Sequence, residues 1–296
     1  MISSFIRLLL IGNTIFAHAA AGDFMLSAAK PLIASAALTE ASGLAVSPKN
    51  NQFLWAINDS GGTTDLHLFR TDGSDSGKVT LINSKNTDWE DLASFTLDGK
   101  AYLLIADTGD NRGSRNSCTL YILPEPALPA TGEKLSGTAT SAWSLEFTYE
   151  GGPRDCEAVA VDPSRQKIIL VSKRTIPPEI FELPLRASAN RESLMAKKVG
   201  MTDTNSPAAR FIPFANQPVG MDFSEDGSLA AILTYYSVFL FQRNSKETWA
   251  EAFAKKPRIL APHGLPQAES LAFSRDGQQI HLISEGQNQP IITYQR

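Results

Sequence analysis

Short runs of small and apolar residues alternate with tight polar turns along most of the chain, and one such unit recurs five times. It opens as Glu40-Ala41-Ser42-Gly43-Leu44-Ala45-Val46-Ser47 and returns as Trp89-Glu90-Asp91-Leu92-Ala93-Ser94-Phe95 and Cys156-Glu157-Ala158-Val159-Ala160-Val161-Asp162. The last two openings are Pro218-Val219-Gly220-Met221-Asp222-Phe223-Ser224 and Ala268-Glu269-Ser270-Leu271-Ala272-Phe273-Ser274. After each comes a turn of residues that supply left-handed or fixed backbone angles: Pro48-Lys49-Asn50, Asp98-Gly99, Asp162-Pro163-Ser164, Asp226-Gly227 and Asp276-Gly277. The pattern then predicts a second strand over 53–57, 102–106, 168–172, 229–234 and 280–284. A third follows over 66–70, 120–123, 180–183, 238–242 and 291–294, and a weaker outer strand over 78–82, 144–148 and 258–260. Helical periodicity is confined to 245–254.

Units of about 50 to 65 residues, each of four strands, predict an all-β chain folded as a five-bladed β-propeller. The last unit stops after its third strand. Lys30-Pro31-Leu32-Ile33-Ala34 mirrors Lys256-Pro257-Arg258-Ile259-Leu260-Ala261 and is expected to complete that blade, so that the ring closes without a bare sheet edge. A six-bladed ring, with a degenerate blade in the long spacing between Glu90 and Glu157, is the alternative.

The first 21 residues read as a secretory signal: one cation at Arg7, the apolar run Leu8-Leu9-Leu10-Ile11-Gly12, and the cleavage pattern Ala17-His18-Ala19. A single domain over 22–296 is then expected in the periplasm or outside the cell, with no membrane anchor and as a monomer. An oxidising compartment permits Cys118 and Cys156 to pair, and their spacing leaves both states open. The net charge of −4 and the absence of any long Lys or Arg run argue against a nucleic-acid partner.

The first strand of a propeller blade lines the central axis, so equivalent positions form a ring. Aligned on their apolar residues, the five openings bring Ser42, Glu90, Glu157, Val219 and Glu269 into register. Like charges about 6 Å apart at an effective dielectric of about 20 repel by roughly 3 kcal/mol per pair. Three glutamates in one tunnel therefore either keep protons or share a cation. Oxygen ligands without His or Cys favour calcium, held by Ser42, Glu90, Glu157 and Glu269. The alternative is glutamates hydrogen-bonded to backbone amides or tunnel water.

The ends of the second strands return to the same face with Asp59, Asp107, Lys173, Tyr235 and Glu285, and Arg174 follows Lys173. Asp59, Lys173, Arg174 and Tyr235 are the candidate ligand-binding residues, with Asp107 or Glu285 as candidate general base. Asp59-Ser60-Gly61 and Asp107-Thr108-Gly109 look like a paired aspartic-protease signature, but their separation is the blade period. His67, His263 and His281 have no metal-ligand spacing and are expected to be packing or surface residues.

The blade openings, Val171-Ser172-Lys173-Arg174 and the closing unit from Ala268-Glu269-Ser270-Leu271-Ala272 to Ile283-Ser284-Glu285-Gly286 resemble the SdiA-regulated family of bacterial five-bladed propellers. That resemblance spans most of the chain and implies an extracytoplasmic propeller with calcium and no settled activity. The ring at Ser42, Glu90, Glu157 and Glu269 is also similar to that of calcium-activated nucleotidases, from which Val219 departs. The expected function is a calcium-binding propeller that takes a small molecule, glycan or protein at its funnel face. The alternative is a calcium-dependent hydrolase of a phosphoanhydride, phosphoester or lactone, in which Lys173 or Arg174 clamps the anion. A third reading leaves the ring protonated or water-filled, with a purely structural role.

Overall fold

The computed structural model describes residues 23–187 and 194–296, so the expected leader over 1–21 lies outside the described residues. It opens with the short strand β1 (Met25–Leu26), followed by β2 (Ala41–Val46), β3 (Phe53–Asn58), β4 (Asp65–Arg70) and β5 (Asp75–Leu81). Next come β6 (Trp89–Leu97), β7 (Lys100–Asp107), β8 (Cys118–Pro124), β9 (Thr138–Ala139) and β10 (Trp143–Tyr149). The third group is β11 (Cys156–Asp162), β12 (Lys167–Ser172), β13 (Glu179–Pro184) and β14 (Leu194–Met201), and the fourth β15 (Pro218–Phe223), β16 (Leu229–Thr234), β17 (Val238–Gln242) and β18 (Arg258–Ile259). The chain finishes with β19 (Ala268–Phe273), β20 (Gln279–Ser284) and β21 (Ile292–Gln295).

The strands form antiparallel meanders: β2-β3-β4-β5, β6-β7-β8-β10, β11-β12-β13-β14, β15-β16-β17-β18 and β19-β20-β21-β1. Parallel pairing of β10 with β14 fuses the second and third into one eight-stranded sheet. The long spacing between Glu90 and Glu157 holds no further meander. Its Thr138–Ala139 strand adds in parallel to the edge of β5 instead. This is the all-β arrangement of a β-propeller.

Period-two alternation sends successive side chains of one strand into different apolar layers. Leu92 of β6 packs with Trp55 and Leu68 on one side, while Ala93 and Phe95 pack with Val159 and Leu170 on the other. Equivalent layers hold Met221 with Ile169, Leu271 with Leu233, and Leu44 with Ile283, so β2, β6, β11, β15 and β19 follow one another around the centre. Their approach is close. A Cβ on Gly43 would come within 2.6 Å of the Leu92 nitrogen, which explains a glycine in that opening.

Each inner strand has hydrogen-bonded neighbours on one side only, and its axial edge must be satisfied in another way. The fully buried Asp91 does this for three strands: Oδ1 accepts from Leu92 N (2.8 Å), and Oδ2 from Val159 N (2.7 Å) and Met221 N (3.2 Å). Asp222 repeats the device, accepting from Phe223 N (2.8 Å) and Phe273 N (2.9 Å).

Closure begins earlier in the chain than expected. Met25 and Leu26, not 30–34, form the ladder against β21, while Leu32 makes an isolated bridge to Pro290. Pro31 and Pro290 lack the N–H groups that a continuous ladder needs there. The helix expected over 245–254 is α1 (Trp249–Phe253), fixed by a capping box between Thr248 and Glu251. Among the described residues, no helix is long and apolar enough to cross a membrane.

Candidate functional site

In all five inner strands the ladder to the second strand carries one extra residue near its start. The register jumps between Ala41 and Gly43, Trp89 and Asp91, Cys156 and Ala158, Pro218 and Gly220, and Ala268 and Ser270. The residues left out of pairing are Ser42, Glu90, Glu157, Val219 and Glu269. A bulge bends the strand and re-aims the extra side chain, so the five positions share one conformational device as well as one register.

Their side chains do different things. Ser42 Oγ donates to the Trp89 carbonyl at 2.7 Å. Val219 is buried in the apolar layer with Leu271. Lys173 Nζ donates to Glu157 Oε1 (2.5 Å) and to the Tyr235 hydroxyl (2.9 Å), and that hydroxyl donates to Glu269 Oε1 (2.8 Å). Two residues expected in the metal ring and two expected on the ligand face thus form one chain of hydrogen bonds.

Carboxylate oxygens gather in two triads, Asp59–Asp88–Glu90 and Glu90–Asp155–Glu157, with one oxygen from each member within 4.8 Å of the others. Glu269 belongs to neither. Two members of the second triad are ion-paired, Glu157 with Lys173 and Asp155 with Arg174 Nε (2.6 Å). Among the described residues no ion pair reaches Asp59, Asp88 or Glu90, and the Glu90 carboxylate, in a residue only 5% exposed, has no hydrogen-bond partner. Gly109 lines this triad. A Cβ there would collide with Glu90 Oε1 and the Asp88 carboxylate.

Asp88 and Asp155 were not among the expected site residues. Each stands two residues before a ring glutamate, as Asp88-Trp89-Glu90 and Asp155-Cys156-Glu157, and that repeated acid-x-acid spacing is the signal that finds them.

The remaining expected residues are placed as follows. Asp107 lies buried behind Asp88: it accepts from Thr87 N (3.2 Å) and Asp88 N (3.1 Å) and is ion-paired with Arg115 (2.8 Å). That is the geometry of a positioning carboxylate. Glu285 is half-buried, accepts from Gln267 Nε2 (2.7 Å), and is raised in pKa by burial, with Asp59 and Glu40 adding to it. Cys118 and Cys156 are unpaired and buried in one apolar layer, where burial pushes the Cys118 thiol up to about 12. His67, His263 and His281 are buried, and burial lowers the pKa of each.

Burial, reinforced by Glu157, Asp59 and Asp88, pushes the Glu90 carboxyl well above the usual carboxylate range. Burial also carries Asp88 up to about 6, with Asp59 and Asp155 adding to it, and Asp222 up to about 7. Glu269 rises to about 7, again through burial, against the pull of Lys173 and Tyr235. Burial alone would depress Lys173, yet Glu157 and Glu269 outweigh it, and the ammonium stays charged.

These carboxyls bind protons more tightly folded than unfolded. The stability they contribute is fully present below their ordinary range near pH 4 and is lost as pH rises through about 6 to 7. The three buried histidines, whose pKa is lowered, act in the opposite direction between pH 5 and about 6.5, so the carboxyl share is read as a difference. In chelator, Glu269→Gln is expected to lose a few degrees less than the parent between pH 5 and pH 8, since about 1 kcal/mol has that effect. Scanning calorimetry of both proteins across this range measures it, and an equal pH dependence in the two contradicts the raised Glu269 pKa.

No protein-family model matches the chain, and neither does any curated protein sequence. Among solved structures, a gluconolactonase from Xanthomonas campestris is similar over 86% of this chain and 72% of its own, at 13% identity and a TM-score of 0.48. A candidate 6-phosphogluconolactonase from Bacteroides uniformis is similar over 86% of this chain and 67% of its own, at 14% identity and a TM-score of 0.40. A chain of a nidogen–laminin complex is similar over 83% and 73%, at 12% identity and a TM-score of 0.43. These likenesses concern the general architecture, and the substrates in those names belong to those proteins.

Proposed function

We propose that the chain is an extracytoplasmic five-bladed propeller that holds a calcium ion at Asp59, Asp88 and Glu90 and binds a ligand on the loop face beside it. The observation that carries this reading is the triad itself: three carboxylates with no cation against them, centred on a buried glutamate without a partner. Hard oxygen donors without His or Cys fit calcium, whose flexible coordination leaves positions for backbone oxygens and ligand. The triad replaces the Ser42, Glu90, Glu157 and Glu269 set as the favoured seat, because Glu157 and Glu269 already accept from Lys173 and Tyr235. Asp107 and Arg115 hold Asp88 in place, and Gly109 leaves room beside it. When bound, the ion would polarise an oxygen of the ligand. The test is whether calcium, and not magnesium, stabilises stripped protein, and whether the response needs Glu90.

A second reading, a calcium-dependent hydrolase of a phosphoanhydride, phosphoester or lactone, is favoured by Glu269. Its carboxyl titrates at about 7, is held by the Tyr235 hydroxyl, and lies near the charged Lys173, the properties of a general base that accepts a proton from water. On this reading a substrate panel with calcium gives turnover, and Glu269→Gln lowers kcat by about 100-fold or more while the calcium response of the fold persists. Absence of turnover across the panel leaves the ligand-binding reading alone.

A further inference from the structure

The cleft that opens on Lys173 is unlike the acidic cluster behind it. It encloses about 420 Å³ between Lys173, Arg174, Ile212, Phe214, Tyr235 and Tyr236. A second hollow of about 250 Å³ shares Lys173, Ile212 and Phe214 with it and reaches Thr175 and Ile176. Neither is lined by any carboxylate among the described residues.

Two features point to an occupant. The first is apolar surface left in solvent: Ile176 is 91% exposed and Phe214 66%, with Ile212 and Phe211 exposed beside them. Large apolar side chains gathered at a cleft mouth mark a binding surface. Phe214 is moreover held at φ 62°, a left-handed conformation that strains a bulky side chain, in a turn closed by Gln217 N on the Phe214 carbonyl (2.9 Å). The second feature is charge. Among the described residues Lys173 and Arg174 are the charged groups on the lining, each ion-paired on its inner side, with Glu157 and Asp155. Lys173 Nζ is held against both Glu157 oxygens and the Tyr235 hydroxyl, whereas Arg174 uses Nε on Asp155 and Nη2 on Asn111 and keeps Nη1 for a further acceptor.

We propose that this cleft binds an anionic amphiphile, with a carboxylate head between Lys173 and Arg174 and an alkyl or aryl body against Ile212, Phe214 and Tyr236. The proposal deepens the loop-face reading above, from which it takes its place, and names the ligand's chemistry. It does not depend on calcium. A sugar-like polyol would leave the apolar wall uncovered, and a cationic amphiphile would meet two like charges.

Isothermal titration of calcium-free protein at pH 7 with hexanoate, octanoate and decanoate, and with decylamine as the opposite charge, tests it. Affinity should rise about three- to four-fold per added methylene, and decanoate should bind at least about ten-fold tighter than decylamine. Phe214→Ser should flatten the chain-length dependence. Arg174→Gln should weaken every carboxylate by about ten-fold alike. Phe214→Ser should melt as the parent does because that side chain stands largely in solvent. Arg174→Gln also unpairs the buried Asp155 and should melt lower, so its affinity is measured at a temperature where circular dichroism shows it folded. Equal affinity along the series, tighter binding of decylamine, or no binding at millimolar concentration overturns the proposal. The calcium response of the melting temperature is read separately. Carboxylate binding without that response removes the metal and keeps the amphiphile site, and the response without carboxylate binding does the reverse.

Discussion

Calcium added to chelator-stripped protein at pH 7.5 raises its melting temperature by about 10 °C, magnesium by about 2 °C at most, and Glu90→Ala abolishes the calcium shift. A ligand that binds only the folded state at about a thousand times its dissociation constant stabilises by roughly 4 kcal/mol, and a chain of this size gains roughly 2 to 4 °C per kcal/mol. The effect is large because the ion removes two costs at once. It neutralises repulsion among Asp59, Asp88 and Glu90, and it gives the buried Glu90 a partner. Magnesium prefers a smaller, stricter octahedron and keeps its waters. At pH 5 the calcium shift shrinks, because Asp88 and Glu90 then hold protons that the ion must displace. No shift with either ion at pH 7.5 removes the metal, and a shift preserved in Glu90→Ala moves it elsewhere.

Asp91→Ala lowers the melting temperature by about 10 °C or more, with no counterpart among surface substitutions. Asp91 is fully buried and accepts from Leu92, Val159 and Met221, which lie on β6, β11 and β15. Removing it strands three backbone N–H groups away from water, and each costs about 1 to 3 kcal/mol. Asp222→Ala strands two and should lose less. Thermal melts of the two variants, with far-ultraviolet circular dichroism to confirm folding at low temperature, give the comparison. An Asp91→Ala protein melting within 2 °C of the parent would show that the axial edges are satisfied in another way.

The strands were legible in the sequence because their signals are local. Turns such as Asp98-Gly99, with both residues at positive φ, and the small-apolar openings need no knowledge of distant partners. The register of Ser42, Glu90, Glu157, Val219 and Glu269 was legible for the same reason. What those residues touch was not. Lys173 follows Glu157 within one unit, but Tyr235 belongs to the unit opened by Val219 and precedes Glu269 by 34 residues, so only closure of the ring sets the two side chains between Glu157 and Glu269. Asp88 and Asp155 precede the apolar residues on which the openings align, so the alignment began too late to include them. The role of Asp91 was hidden because two of its three partners belong to other strands. The closing strand was misplaced by a local likeness between 30–34 and 256–261, whereas pairing with β21 selects Met25 and Leu26.

The extra residue at the start of every inner strand separates two demands that most β-sheets impose on a single position. Because that residue takes no part in the ladder, its chemistry can differ from strand to strand while the ladder keeps its form. Hydroxyl, carboxylate and aliphatic side chains already occupy it in one chain, at Ser42, Glu90 and Val219. The centre of this molecule is thus a ring of sockets on a repeated frame, filled by different chemistries within one chain.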